Sequence, residues 1–538
     1  MDMTSDSDPI AWETGVTESD TKEWKPSTHE LLIMITLAIV TFMISLDACV
    51  VATSLHAIVT ALDGSTTEGF WVGTSYFLAT AVVMPTIAAV SDVFGRPICL
   101  TASLVAFTIG SLICCLSQTM AMLLAGRTVQ GVGCGGITVL TSIIFTDLVP
   151  LRQRPKCESR QASWTIGSSA GPLIGGAISE KTTWRWMFYI MFPFCGYGLI
   201  CVPWLLTLKP REMITTREKL RRIDWIGSLA FMVGTTLFLM AISWGGTQFA
   251  WNSAGELLPL CLGLVGIAAT LVWGRYFTGR PLLNTALFSS ASATFCYICG
   301  GIQGLVLFGE LYYIPFYFIA VKGFSPIYSG VALLPVMLMA APSAIVTGAI
   351  VTRTNRYQEI VWSGWILTTL ASGLMIRWDA DTTTPVWVVN IVLLGLGQGA
   401  IATAQNFATQ ALCRPGLEAD AASVYIFARH FGVAVGLGVS GTTFQNIMAM
   451  KLEWEGLPRY IASQAEAFVD YFHSLPTDAP PREAAIKSYV FGLQGVYAFY
   501  TGISGLALLL SLFIRRSTMD KTLSRDHELR AVGGRRQS

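Results

Sequence analysis

Trp164 to Ser179 reads W-T-I-G-S-S-A-G-P-L-I-G-G-A-I-S, with glycines at Gly167, Gly171 and Gly175. A spacing of four stacks three missing side chains on one face of a helix, where a neighbouring backbone can approach closely. Pro172 removes a backbone donor and bends that helix, leaving carbonyls for a neighbour or water to satisfy. Tight packing accounts for a single GxxxG step. A Gly-Pro among three in-register glycines, with Gly176 beside them, is a sharper signal and marks a bend at an interface between helices.

The sequence around this stretch identifies its solvent. Of 538 residues, 53% are hydrophobic and 13% charged. Soluble domains carry about a quarter charged residues, so roughly half that value points to the bilayer. The net charge of +1 gives no electrostatic reason for a polyanionic partner, so no nucleic acid is expected. The twelve Cys are scattered in and beside apolar runs and read as small packing residues rather than a disulfide framework. Cys296-Tyr-Ile-Cys299 lies inside an apolar run of helix length and is not read as a redox pair. The five His show no ligand spacing, so neither a metal nor a cofactor is expected.

Residues 1–28 are polar and acidic and read as a disordered tail, not a signal peptide. From Leu31 onward, apolar runs of about 20 residues recur, each long enough to cross a hydrocarbon core of roughly 30 Å. About fourteen are expected, near 31–53, 70–90, 98–117, 120–146, 162–180, 185–207, 224–245, 257–275, 292–320, 327–351, 360–376, 385–411, 421–445 and 490–514. An even count puts both termini on one side. One set of loops holds Arg96, Arg152, Arg154, Lys156, Arg160, the stretch from Lys209 to Arg222, Arg275, Arg280, Arg353, Arg356 and Arg414. The opposite short loops hold little beyond Lys181, Lys322 and Arg377, so the positive-inside rule places both termini in the cytoplasm. A long outer loop over 446–489 contains Leu457 to Phe472, which reads as an amphipathic helix at the outer interface or a solvated connector. The tail over 515–538 is polar and cytoplasmic in this reading.

The chain also repeats itself weakly. Ala88-x-x-x-Asp92-x-x-Gly95-Arg96 joins spans two and three, and Gly348-x-x-x-Thr352-x-x-Asn355-Arg356 joins spans ten and eleven. Gly167, Gly171 and Gly175 of span five are echoed by Gly432, Gly436 and Ser440 of span thirteen. Gly131 and Gly133 of span four are echoed by Gly397 and Gly399 of span twelve, which sets Leu393 opposite Arg127. Corresponding positions in two six-span halves indicate a duplicated transporter with its substrate site between the halves. The expected organisation is a six-helix half over 29–207, an inserted pair over 208–280 and a second six-helix half over 281–514.

Few ionisable groups lie inside or beside these runs, where a charge costs at least about 2.5 kcal/mol. Asp47 is mid-span, and Arg127 is a guanidinium that stays charged when buried. An arginine that reaches an aspartate in one conformation and leaves it in another makes a proton switch; a static buried salt bridge is the alternative. Glu310, in F-G-E-L-Y-Y-I-P, is the second candidate for proton coupling, and Arg429 reads as an anchor. Asp92, Gly95 and Arg96 would form a gate against the N-terminus of span thirteen near Asp420, where a helix end carries roughly half a positive charge. Gly167, Gly171, Pro172, Gly175 and Gly176 would form a second gating element. Gln130, Gln303, Tyr312, Tyr313, Gln405 and Asn406 are the candidates for a substrate cavity.

These residues resemble a known group. G-P-L-I-G-G at 171–176 resembles the GPxxGG signature in the fifth helix of antiporters of the major facilitator superfamily. Leu46-Asp47-Ala48-Cys49-Val50-Val51-Ala52-Thr53-Ser54-Leu55 is similar to the first-helix motif of its fungal fourteen-helix drug:proton antiporters, with Cys49 and His56 departing from the expected Thr and Pro. A-A-V-S-D-V-F-G-R resembles the superfamily's loop motif, with Ala88 for its first Gly and Pro97 for its last basic residue. T-W-R-W-M-F-Y-I at 183–190 and the stretch from Tyr312 to Pro335 are similar to the same group.

The resemblance implies an all-α polytopic membrane protein with the major facilitator fold, two six-helix halves plus two inserted helices. It implies a monomeric antiporter, not an enzyme, that exports hydrophobic small molecules such as a secondary metabolite, toxin or drug in exchange for protons. The expected location is the plasma membrane, with a vacuolar or vesicular membrane as alternative. Proton-coupled uptake, for example of a siderophore, and a non-transporting membrane sensor are the other readings. No GxxxxGK[ST] loop is present, consistent with a transporter not driven by nucleotide.

Overall fold

The computed structural model describes residues 26–51, 53–64, 66–154, 159–206, 215–245, 248–249, 251–279, 281–476 and 479–517. Nearly all of the N-terminal tail read above as disordered (1–25) and of the polar C-terminal tail (518–538) lies outside the described residues. In lipid no water satisfies backbone groups, so apolar runs of this length close their hydrogen bonds within helices. The long helices are α1 (Thr28–Val50), α2 (Thr66–Phe94), α3 (Arg96–Leu116), α4 (Met120–Leu148), α5 (Ser159–Lys181), α6 (Phe192–Leu205), α7 (Trp225–Trp244), α8 (Ala254–Tyr276), α9 (Ala291–Ala320), α10 (Pro326–Thr354), α11 (Gln358–Met375), α12 (Thr384–Leu412), α13 (Glu418–Trp454) and α14 (Pro480–Ser511).

Among the described residues, twelve helices are long and apolar enough to cross a membrane, α6 counting together with the turn before it as Trp186–Leu205. The two remaining predicted spans are also helices: α5, rich in Gly and Ser, and α11, the eighteen-residue helix that opens on Gln358 and Glu359. Local chemistry sets the ends. Ser27 and Glu30 form a capping box at the start of α1, and Thr119 caps α4. Gly95 at φ 99° separates α2 from α3, and Asn355 at φ 55° separates α10 from α11. Gly95, at ψ 142°, takes a backbone open to glycine, and Asn355, at ψ 26°, the left-handed helical one that Asn tolerates, so the repeated loop motif breaks the helix with a positive φ both times but not with the same turn.

Helix packing repeats as well. α1 packs on α5, α2 and α3 on α4, and α3 on α6; α9 packs on α13, α10 and α11 on α12, and α11 on α14. The halves meet where α2 packs on α13 and α5 on α10. The glycines correct the register of the repeat. A Cβ on Gly131 or Gly135 would run into the Tyr76 or Thr80 carbonyl of α2. A Cβ on Gly395 or Gly399 would run into the Val336 or Ala340 carbonyl of α10. Gly131 therefore matches Gly395, not Gly397, and four residues upstream Arg127 matches Ile391 rather than Leu393. An apolar residue stands there in either register.

The inserted pair is not peripheral on both faces. α7 and α8 meet through Gly234, Gly263 and Gly266, where added side chains would strike the opposing backbone. α7 then lies along both α2 and α13. Phe238 stacks on Phe431 at 5.8 Å, Trp71 meets Trp244 at 6.1 Å, and Thr442 Oγ1 donates to the Gly245 carbonyl at 2.9 Å. The pair thus bridges the seam between the halves.

The outer loop is shorter than expected, because α13 runs to Trp454 and α14 begins at Pro480. Ion pairs between Lys451 and Glu455 and between Lys487 and Glu483, each 2.7 Å, extend these helices past the end of their apolar pattern. The connector holds two short helices, Tyr460–Ser463 and Ala465–Ser474. The second does not spend its apolar face on lipid: Ala465, Val469 and Phe472 are buried in the core of the second half.

Candidate functional site

Asp47 and Arg127 face each other across α1 and α4, both wholly buried, with Arg127 Nη1 2.9 Å from Asp47 Oδ2. Gln130, one turn beyond Arg127, donates from Nε2 to Asp47 Oδ1 at 2.8 Å and to Ser111 Oγ at 3.0 Å, while its Oε1 accepts from Arg127 Nη1 at 2.7 Å. Both Asp47 oxygens accept from N–H donors, the arrangement an ionised carboxylate satisfies. Arg127 Nε donates to the Val72 carbonyl at 3.2 Å, and its guanidinium lies over the Tyr76 ring at 4.1 Å. Its Nη2 has no hydrogen-bond partner.

Arg127 also borders a cavity of about 80 Å³ between the halves, room for several waters. Ala48, Cys49 and Pro172 line it from one half, Phe308, Leu333 and Met337 from the other. Leu55 and Gly69 line it toward the α1–α2 connection. Toward the opposite end, where the basic loops gather, Phe308 packs edge-on to Phe77 at 5.3 Å and to Trp164 at 6.4 Å, and Trp164 meets His430 at 6.0 Å. The lining is apolar, with Arg127 its charged member.

The glycine helix serves two neighbours. Gly167, Gly171 and Gly175 face α1, where Cβ atoms would strike Ser45, Cys49 and Val50. Ser54 donates to the Gly175 carbonyl at 2.8 Å and Thr53 to the Pro172 carbonyl at 3.1 Å, so the turn after α1 satisfies carbonyls around the bend. Gly176 and Pro172 instead face α10. A Cβ on Gly176 would sit 3.2 Å from Ile327, and one on Gly330 would sit 3.1 Å from the Pro172 carbonyl. The structure splits the motif: three glycines pack within one half, and Pro172 and Gly176 touch the other.

At the basic end, Arg96 Nη1 pairs with Asp92 at 2.5 Å and also donates to Ser91 Oγ at 2.6 Å, while Asp147 lies 3.5 Å from its Nε. Asp420, in the first turn of α13, lies within electrostatic reach of Asp92, Arg96 and Asp147. The α2–α3 loop thus lies close to the first turn of α13 in the second half. Removing the Asp92 carboxylate loosens one of three holds on Arg96. In Asp92→Ala, alkylation of a cysteine introduced by Thr409→Cys, wholly buried near this end of α12, is expected to rise several-fold on a cysteine-free background. Unchanged labelling would assign the hold to Asp147 and Ser91.

The other candidates scatter. Glu310 is wholly buried but turns to α11, where Ser372 Oγ lies 2.5 Å from Oε1, and it does not line the cavity. Gln130 belongs to the Asp47 network, Gln303 bonds Gln398 at 3.0 Å, Gln405 donates to the Cys296 carbonyl at 3.2 Å and Asn406 accepts from Gln410 at 3.1 Å; none of the four lines the cavity. Tyr312 does line it, and Tyr313 lines a second cavity beside it. Sequence reasoning missed Ser111 and Tyr76, which hold Gln130 and Arg127, because an uncharged residue in an apolar helix carries no signal of which neighbour it faces. It also missed Arg154, which reaches Gln410 of the other half at 2.5 Å.

The sequence profile of the Major Facilitator Superfamily matches residues 37–437. The chain is 37% identical over 506 residues to MFS transporter L2 of a Phoma species, covering 93% of this chain and 84% of that protein. It is 29% identical over 514 residues to the efflux pump FUS6 of Gibberella moniliformis, covering 94% and 91%. Its fold is similar to that of a bacterial homologue of the human lysosomal transporter Spinster, solved in an inward-facing and occupied conformation, with a TM-score of 0.57 at 15% identity over 92% of this chain and 98% of that one.

Proposed function

Because the chain belongs to the major facilitator superfamily, a family of multi-pass membrane transporters and not of enzymes, we propose that it is a proton-coupled antiporter that exports an apolar small molecule by alternating access. The observation that carries this reading is the buried Asp47–Arg127 pair at the border of a cavity between the halves. The apolar character of the cavity lining suits a secondary metabolite, toxin or drug. That relatives of this chain are efflux pumps supports the outward direction. The basic end faces the cytoplasm in this reading, with the monomer in the plasma membrane.

The coupling follows from the contacts. With Arg127 against it, Asp47 is ionised. Arg127 Nη2 is unpartnered beside the cavity, so when the site opens outward and a proton from that side neutralises Asp47, the freed guanidinium turns into the cavity and the apolar ligand leaves to the outside. A carboxylate that loses its cation inside the protein holds that proton. When the halves rock back to open inward, Asp47 releases its proton to the cytoplasm, Arg127 returns to it and the vacated cavity takes the next ligand, so proton and ligand cross in opposite directions. A potential of about 100–150 mV and one pH unit supply roughly 4–5 kcal/mol per proton, enough for about a thousand-fold ligand gradient.

The test is proton counterflow in reconstituted vesicles. Adding a transported apolar compound from a panel of toxic metabolites is expected to drive proton movement opposite to it. Compound movement with no proton movement would overturn the antiport.

A further inference from the structure

A second cavity, of about 90 Å³, lies beyond the first on the side away from the basic end. Among the described residues, Tyr312 is the one side chain that lines both. Its hydroxyl donates a short hydrogen bond to Glu466, on the connector helix Ala465–Ser474. That helix is seated firmly: Tyr489 donates to the Ala465 carbonyl at 2.5 Å, His473 bonds the Ala320 carbonyl at 3.0 Å, and Val469 and Phe472 are buried. Phe316 and Phe444, edge-on at 5.3 Å, form the apolar wall, and Gln248, Gln445 and Glu466 supply polar groups. Gln248 follows α7, so the inserted pair contributes to this chamber as well.

We infer that this outer chamber is a second ligand subsite on the exit route, closed from the central cavity by the Tyr312–Glu466 hydrogen bond and selective for molecules with an aromatic body and an N–H or O–H donor. The wall stacks on a ring, and the Glu466 carboxylate accepts only, so between two ligands of equal charge it favours the one that brings a donor. The ligand's donor replaces the Tyr312 hydroxyl on Glu466, and Tyr312 is then released to let the ligand pass. This rests on the export reading, but binding in the chamber is measurable without transport.

The experiment uses the full chain in nanodiscs on a cysteine-free background, with Ser463→Cys reporting on the outer chamber and Ser168→Cys on the central cavity; each of these serines lines its cavity. Rhodamine 6G, which carries N–H groups, and rhodamine B ethyl ester, which is equally charged without them, are the probes. Rhodamine 6G is expected to protect both cysteines from maleimide, and the ester to protect Ser463→Cys at least about tenfold less well. Glu466→Gln should weaken rhodamine 6G protection at Ser463→Cys by about tenfold or more and leave Ser168→Cys unaffected, since a bond to a charged acceptor is exchanged for one to an amide. Tyr312→Phe removes the closing bond but not Glu466, so protection at Ser463→Cys persists while maleimide labelling of Ser168→Cys rises several-fold. No protection at Ser463→Cys, protection indifferent to Glu466→Gln, or unchanged labelling in Tyr312→Phe overturns the inference. Protection at Ser463→Cys without dye export would leave the chamber standing and count against the export reading alone.

Discussion

Vesicles carrying Asp47→Asn are expected to lose uphill export altogether, from a gradient of about a thousand-fold to none, while downhill movement of the ligand persists. Asparagine keeps the shape of the side chain and removes its proton exchange. It also replaces one acceptor oxygen by a donor amide facing either Arg127 Nη1 or Gln130 Nε2, both donors in this network. Gln130 cannot simply turn over to accommodate it, because Oε1 accepts from Arg127 and Nε2 donates to Ser111. Removing one partner of a buried pair costs about 3–5 kcal/mol, so some loss of folded protein is expected with the loss of coupling. Gel filtration of the detergent-solubilised protein and downhill flux separate the two effects. A folded variant that still concentrates its ligand against the gradient would remove Asp47 from the mechanism and move the search to Glu310.

The second large effect separates two faces of α5. In Gly171→Ala the new methyl would stand 2.7 Å from Cys49 Cβ and 3.0 Å from the Cys49 carbonyl carbon, both in the same half. Overpacking of this kind costs about 1–3 kcal/mol, so the variant should be less stable but tight. In Gly176→Ala the methyl meets Ile327 Cα and N at 3.2 Å, on the first turn of α10 in the other half. Relief there comes from moving one half away from the other by a few tenths of an ångström. Resting proton leak in vesicles without ligand is expected to rise several-fold for Gly176→Ala at near-normal folding. A leaky Gly171→Ala, or a tight Gly176→Ala, would reverse this division of the motif.

The sequence by itself determined that the chain lives in a bilayer and where its helices run, and it singled out Asp47 and Arg127, which the fold brings together as a buried pair. The reason is physical: spanning length is a local property of an apolar run, and a charge inside one is so costly that its presence is informative. The breaks at Gly95 and Asn355 were legible for a similar reason, since few residues adopt that backbone. Which way each helix faces was not legible. Lipid and protein interior are equally apolar, so a membrane helix carries little of the amphipathic pattern that orients a helix in water. Hence Glu310 could be read toward the cavity when it turns to Ser372, and Gln303, Gln405 and Asn406 could be read as lining when they bond within the bundle. Tertiary contacts alone decided that three glycines of α5 pack inside one half while Gly176 meets the other. They also decided that α7 bridges the seam, and that the connector helix gives its apolar face to the protein core and its Glu466 to Tyr312.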